Sequence, residues 1–202
     1  MADVAGKARG AIRVAILTKA AQAATRPALP ATLPDILAKR LLVIFCGINP
    51  GMRAATLGHH FTGGGNRFWR TIHLAGFTPE QIAPHDDRTI LQYGCGLTTA
   101  VERPTARAGE LAKHEFLAAS AGLEKKIEHF APEYVAFLGK VAYSSMSGLR
   151  KVEWGLQSLT FGGSKVWILP NPSGLNRAFR LDDLVRHYAE LRQSSRHFRT
   201  PR

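Results

Sequence analysis

Two asparagine–proline turns hold the side chains best placed for chemistry in this 202-residue chain. The first, Gly47-Ile48-Asn49-Pro50-Gly51, ends the apolar run LLVIFCGINPG over residues 41–51. The second, Asn171-Pro172-Ser173-Gly174-Leu175-Asn176-Arg177, follows VWILP. Pro50 fixes its own φ and pushes Asn49 towards an extended backbone, so one amide stands at the mouth of a buried strand. Gly47 and Gly51 let the main chain approach a ligand with no Cβ in the way. Crevices beyond the carboxyl ends of parallel strands are where open α/β sheets bind small molecules. A single such turn is equally well read as an Asn satisfying local backbone groups. Its recurrence after a second apolar strand favours two turns bordering one cleft.

Between the turns, Phe61 stands before Gly63-Gly64-Gly65. An aromatic in a glycine-rich loop suits stacking on a planar ring, and suits equally well a plug holding the loop on the core. His59 and His60 complete no metal set; either is a surface loop residue or a hydrogen-bonding group near the cleft. Cys46 and Cys95 are isolated and lack CxxC spacing, so neither zinc nor an iron–sulfur cluster is expected, and no other cofactor is implied. There is no GxxxxGK[ST], no GxGxxG and no GxSxG, which leaves ATPase, dinucleotide-enzyme and α/β-hydrolase readings without support.

The elements that must position these groups follow from hydrophobic period. Residues 52–65 read as loop. Asn66 is an N-cap candidate for a helix carrying Phe68, Trp69, Ile72 and Leu74. A short helix and a glycine-rich turn precede a brief strand over residues 96–101. Phe116, Ser120, Leu123, Ile127 and Phe130 recur at four- and three-residue steps, predicting a helix over 110–130 with one buried face. Residues 134–138 read as a second buried strand, and Gly139-Lys140 as the opening of the next helix. Residues 158–161 and 166–169 form a hairpin-like pair around Gly162-Gly163. Leu181, Leu184, Val185, Tyr188 and Leu191 mark an amphipathic helix with Asp182 and Asp183 at its positive end. The expected fold class is α/β: a three-layer α/β/α sandwich with a short, mainly parallel central sheet.

Composition bounds the partners. Apolar residues make up 45%, enough for one sizeable domain, and no run approaches the roughly 18 apolar residues of a membrane span. With 27 Lys+Arg against 15 Asp+Glu, the net charge of +12 implies a polyanionic partner, for which nucleic acid is the commonest soluble candidate. Residues 1–33 carry Lys7, Arg9, Arg13, Lys19 and Arg26 against Asp3 alone, and read as a flexible basic arm able to lie along phosphates. A transit peptide has similar composition, so organellar targeting stays open beside a cytoplasmic, nucleoid-associated location. Residues 34–195 are the expected single domain, and 196–202 a basic tail.

GINPG and NPSGLNR, with GNRFW between them and GLTTAVERPT in the middle, resemble the mismatch-specific uracil/thymine-DNA glycosylase family over residues 41–191. The resemblance implies a monofunctional, monomeric enzyme with a uracil-DNA-glycosylase-like fold, excising uracil from mismatches with guanine in double-stranded DNA. It implies that Asn49 positions the hydrolytic water and that Phe61 stacks on the extruded base. Gly47, Ile48 and His60 would join Phe61 around that base. Leu175 would enter the duplex as a wedge, with the backbone of Gly174 and Asn176 facing the widowed guanine. Ala54 would lie beside C5 of the pyrimidine. The stretch AATLGHHF is similar to the thymine-DNA glycosylases of animals, so some tolerance for thymine opposite guanine is expected.

Elementary chemistry is consistent with that reading. A glycosidic bond inside a duplex is reached only by flipping the nucleotide, at a cost of about a few kcal/mol. An apolar wedge at a glycine-flanked turn fills the gap. An amide is no base and only orients water, so turnover should be slow. Arg67, Arg103, Lys140, Ser173 and Arg177 are the candidate phosphate contacts. A nucleoside hydrolase acting on free substrate and a non-catalytic DNA-binding module remain the competing classes.

Overall fold

Side-chain alternation along three fully buried strands and a fourth buried but for Lys165 decides the architecture. The computed structural model describes residues 32–195. Its strands are β1 (Val43–Gly47), β2 (Cys95–Thr99), β3 (Tyr134–Leu138), β4 (Gly155–Phe161) and β5 (Ser164–Leu169), in one sheet of order β2-β1-β3-β5-β4. All neighbours run parallel except the β4–β5 hairpin. Parallel strands covered on both faces read as continuous apolar runs, which is why VIFCG and YVAFL stand out in the sequence.

Val43, Phe45, Tyr134, Ala136, Leu138, Trp167 and Leu169 point to one face. There they meet α2 (Phe68–Leu74), a 3-10 segment (Pro84–Tyr93) and α5 (Leu181–Ser194). Ile44, Cys46, Val135, Phe137, Val166 and Ile168 point to the other face, against α3 (Lys113–Phe130) and α4 (Lys140–Ser147). Two separate cores on one sheet make the three-layer sandwich that the sequence predicts. Phe45 is the hinge of the first core, with Phe68 and Phe77 edge-on at 5.3 Å and Tyr188 stacked at 6.1 Å.

Several local expectations need correction. Residues 52–57 are not loop but a short helix, α1 (Met52–Leu57), closed by Gly58 at φ +72°. Its six residues are too few to show a helical period. In α2 the buried face is Phe68, Trp69, Thr71 and Ile72, while Leu74 is half exposed. Asn66 is not the N-cap of α2, a position taken by Arg67; it stands one residue earlier, its Oδ1 accepting the Phe68 N–H at 2.9 Å. The helix expected from residue 110 starts at Lys113, because Ala108–Glu110 forms a separate 3-10 turn. Among the described residues no helix is long and apolar enough to cross a membrane. The basic arm and tail expected over 1–33 and 196–202 lie outside the described residues, except for residues 32 and 33.

Candidate active site

The chain leaves β1 with β2 on one side and β3 on the other, the arrangement that opens a crevice at the strands' carboxyl ends. A cleft of ≈ 680 Å³ lies there. Thr99 from β2, Gly47 to Gly51 after β1, Leu138 from β3 and Asn171 after β5 all line it. Asn49 and Leu175 therefore share one cavity, although 126 positions separate them (175 − 49).

Asn49 is held by its amide nitrogen. Nδ2 donates to the Arg103 carbonyl and to Thr105 Oγ1, both at 2.8 Å. A carbonyl can only accept, so the nitrogen must lie on that side and the amide orientation is fixed. Among the described residues Oδ1 has no hydrogen-bond partner, and it is left to the cleft that Asn49 lines. Thr105 is placed in turn by its N–H on the Pro50 carbonyl (3.1 Å) and its hydroxyl on the Arg107 carbonyl (2.9 Å). Arg103 is clamped by Glu115 through Nε (2.7 Å) and Nη2 (2.9 Å). Those bonds, with the Ala112 N–H, hold the Glu115 carboxyl down to about 2. Nothing in the residue types marks Thr105 in advance; only folding of the 101–107 loop onto residues 50–51 brings it to the amide.

Phe61 resolves the choice between platform and plug by being half of each. Its ring stacks on Phe68 at 3.9 Å and 23°, and meets the Trp69 edge at 6.4 Å. The ring still lines the cleft beside Gly47, where an added Cβ would come within 3.9 Å of it. Phe61 adopts φ +56°, a left-handed conformation costing roughly 1–2 kcal/mol for a non-glycine residue. Stacking on Phe68 returns about 0.5–1.5 kcal/mol beyond its area burial, enough to offset most of that cost. Ala54 is buried in the wall of the same cleft.

His60 is buried and hydrogen-bonded rather than loose in the loop. Its Nε2 donates to the Pro34 carbonyl at 2.9 Å, its N–H to Asp87 Oδ2 at 2.9 Å, and its carbonyl accepts the Trp69 indole N–H at 3.1 Å. Burial lowers the pKa of the imidazole, against the opposing pull of the Pro34 carbonyl. His59 Nδ1 stands 3.5 Å from the same Asp87 oxygen.

Leu175 is the most exposed large apolar side chain described, at 72%. Its loop is built from polar turns: Asn171 Oδ1 accepts the Ser173 N–H, Ser173 Oγ the Leu175 N–H, and Asn176 Nδ2 donates to the Asn171 carbonyl. Gly174 lies against Gly65, and a Cβ there would fall 2.4 Å from the Gly65 oxygen, so only glycine fits. The Asn176 N–H donates to the Ser173 carbonyl within the loop, and its carbonyl accepts from Arg67 Nη2.

The phosphate contacts expected from sequence separate into groups. Arg67 is corrected: its guanidinium is spent on main-chain carbonyls, not turned to solvent. Arg103 is committed to Glu115, and the Lys140 ammonium lies 4.5 Å over the Trp154 ring. Ser173 lines the cleft, and Arg177 is exposed with no carboxylate partner. Sequence reasoning missed Arg53 and Arg107, exposed residues on the cleft lining whose side chains have no carboxylate partner among the described residues. Among the described residues no Asp, Glu or Lys lines this cleft. Among the described residues no three His, Cys, Asp or Glu side chains gather to hold a metal ion.

A solution NMR structure from Methanosarcina acetivorans, provisionally assigned as a uracil DNA glycosylase, is similar in fold. It shares 18% identity at a TM-score of 0.56, over 81% of this chain and 97% of that one. The sequence profile of the uracil DNA glycosylase superfamily matches residues 34–193, which span both turns and every strand between them. The chain belongs to the uracil DNA glycosylase superfamily.

Proposed function

We propose that this protein is a monofunctional glycosylase of double-stranded DNA that flips uracil out of mismatches with guanine and hydrolyses its N1–C1′ bond. The observation that carries the proposal is the tethered amide of Asn49, whose free Oδ1 shares one cleft with an exposed Leu175. A water accepted by that oxygen is oriented towards C1′, as a group that cannot take a proton can do. Cleavage leaves the N1–C1′ electron pair on a uracil anion and a cation at C1′; the oriented water adds to C1′ and its proton passes to the uracil anion or to solvent, giving free base and an abasic sugar. Arg53 and Arg107 supply positive charge at the cleft, and no carboxylate opposes the departing anion. With no Asp or Glu there to serve as base, hydrolysis is slow. With no lysine there to form a Schiff base, strand cleavage does not follow excision.

Phe61 stacks on the flipped base, and Gly47, Ile48 and His60 close around it. The carbonyls of Gly47 and Ile48 accept the N–H groups of Ala100 and Val101, which turns the remaining main-chain edge to the base. Leu175 fills the gap in the duplex. Because both main-chain groups of Asn176 and the N–H of Leu175 are occupied, contact with the widowed guanine falls first to Gly174 and the Leu175 carbonyl. Ala54 leaves room beside C5, so thymine opposite guanine is accepted more weakly than uracil. The enzyme acts as a monomer.

The deciding assay incubates the protein with G·U duplex, G·T duplex, A·U duplex, single strand and free deoxyuridine, then reveals abasic sites with alkali. Preferential cleavage of G·U with weaker G·T is expected. Release from free deoxyuridine alone would establish a nucleoside hydrolase instead. Duplex binding without base release would establish a non-catalytic module.

A further inference from the structure

We propose that Arg67 is a positioning residue for the wedge, setting Leu175 and coupling its loop to the segment that carries Phe61. Four carbonyls converge on this one guanidinium: Nη1 donates to Phe179 at 2.7 Å, Nη2 to Ser173 at 3.0 Å and Asn176 at 2.9 Å, and Nε to Pro172 at 3.4 Å. The Arg67 N–H adds a bond to the Pro172 carbonyl at 3.0 Å. Those acceptors bracket Leu175 on both sides in the chain. A planar fork with five donors can satisfy several carbonyls at once, which a lysine ammonium on a flexible stem cannot reproduce.

The same residue is the N-cap of α2, six positions after Phe61 and next to Asn66, whose Oδ1 accepts the Phe68 N–H. One turn away, Gly65 and Gly174 touch backbone to backbone. The base platform and the wedge are thus two ends of one clamped unit. Without the guanidinium, the carbonyls of Asn176 and Phe179 lose this donor and that of Ser173 keeps only the Asn176 N–H, so the loop relaxes towards water. A displacement of about 1 Å at a group that must enter the base stack lowers a rate by on the order of a hundredfold. The inference rests on the glycosylase reading given above.

The test uses the full chain with Arg67→Lys, Arg67→Met, Leu175→Ala and the Arg67→Met/Leu175→Ala pair, in single-turnover excision from G·U duplex at several salt concentrations. A phosphate contact would survive as lysine, and its loss as methionine would lower the log–log salt slope by about one. The positioning role predicts that both single variants lose about tenfold to a hundredfold in rate at saturating enzyme, with an unchanged slope. It also predicts that the pair is no slower than Leu175→Ala by more than about threefold, since the first residue acts through the second. Amide hydrogen exchange over residues 173–180 should quicken in Arg67→Lys and Arg67→Met. Should Arg67→Met fail to fold, Arg67→Lys, which keeps the aliphatic stem, carries the test. A lysine variant within twofold of wild type, multiplicative losses in the pair, or unchanged exchange would each overturn the proposal. Failure of wild-type protein to release uracil would instead sink the glycosylase reading, while the exchange measurement still judges Arg67.

Discussion

Replacing Asn49 by aspartate gives a test whose sign separates two mechanisms. The substitution is isosteric, but it puts an oxygen where Nδ2 now stands, 2.8 Å from the Arg103 carbonyl and 2.8 Å from Thr105 Oγ1. The carbonyl can only accept, so an ionised carboxylate would face it with like partial charge. The Thr105 hydroxyl could turn to the carboxylate only by abandoning the Arg107 carbonyl. A neutral carboxyl avoids both costs: its O–H donates to Arg103, and its carbonyl takes the place of Asn49 Oδ1. Two hydrogen bonds at about 1 kcal/mol each favour the neutral form by about 2 kcal/mol. At 1.36 kcal/mol per unit, this raises the introduced carboxyl from about 3.9 to between about 5 and 6. Roughly half is then neutral at pH 5.5 and on the order of a hundredth at pH 7.5. Single-turnover uracil release from a G·U duplex, divided by the wild-type rate at each pH, should therefore fall tens-fold across that interval. Asn49→Ala marks the floor, with most turnover gone and DNA binding retained. A normalised rate that rises with pH would show the carboxylate working as a base, and the account of Asn49 as an oriented amide would be wrong.

Leu175→Ala should lower excision from duplex by about tenfold to a hundredfold while leaving thermal stability within about 0.5 kcal/mol, because the side chain is largely exposed; equal losses on duplex and single strand would remove the wedge role. Arg53→Ala and Arg107→Ala should each flatten the salt dependence of duplex affinity by about one unit of log–log slope, and unchanged slopes would place the phosphates elsewhere. His60 has a folded pKa lowered by burial, so between that value and about 6.5 the unfolded chain binds the extra proton. Its contribution to stability is present above pH 6.5 or so and is lost as pH falls towards the folded value. Melting temperatures from pH 7.5 down to 5 should drop more steeply for wild type than for His60→Gln, and parallel curves would refute the assignment.

Much of this arrangement is written locally. The runs VIFCG and YVAFL must be strands covered on both faces, because nothing else of that length hides five consecutive buried residues and satisfies its backbone. Phe116, Leu123 and Ile127 fix the buried face of α3 by their spacing alone. The two Asn–Pro turns announce where the chain must leave the sheet. What the sequence could not disclose is the partner of each polar group. Arg67 and Arg103 look alike on paper, yet one is consumed by carbonyls of the loop that carries Leu175 and the other by Glu115.

The sequence by itself determined the layers, the parallel sheet and the two turns, since burial and backbone geometry act over a few neighbouring residues. Only the tertiary structure decided that Asn49 gives its nitrogen to Arg103 and Thr105, that Gly174 rests on Gly65, and that Arg53 and Arg107 reach the cleft. Those are contacts between loops far apart in the chain. Hydrogen bonds last only where donor and acceptor meet within about 3 Å, and that meeting is set by how the sheet stacks its ends, not by any local pattern.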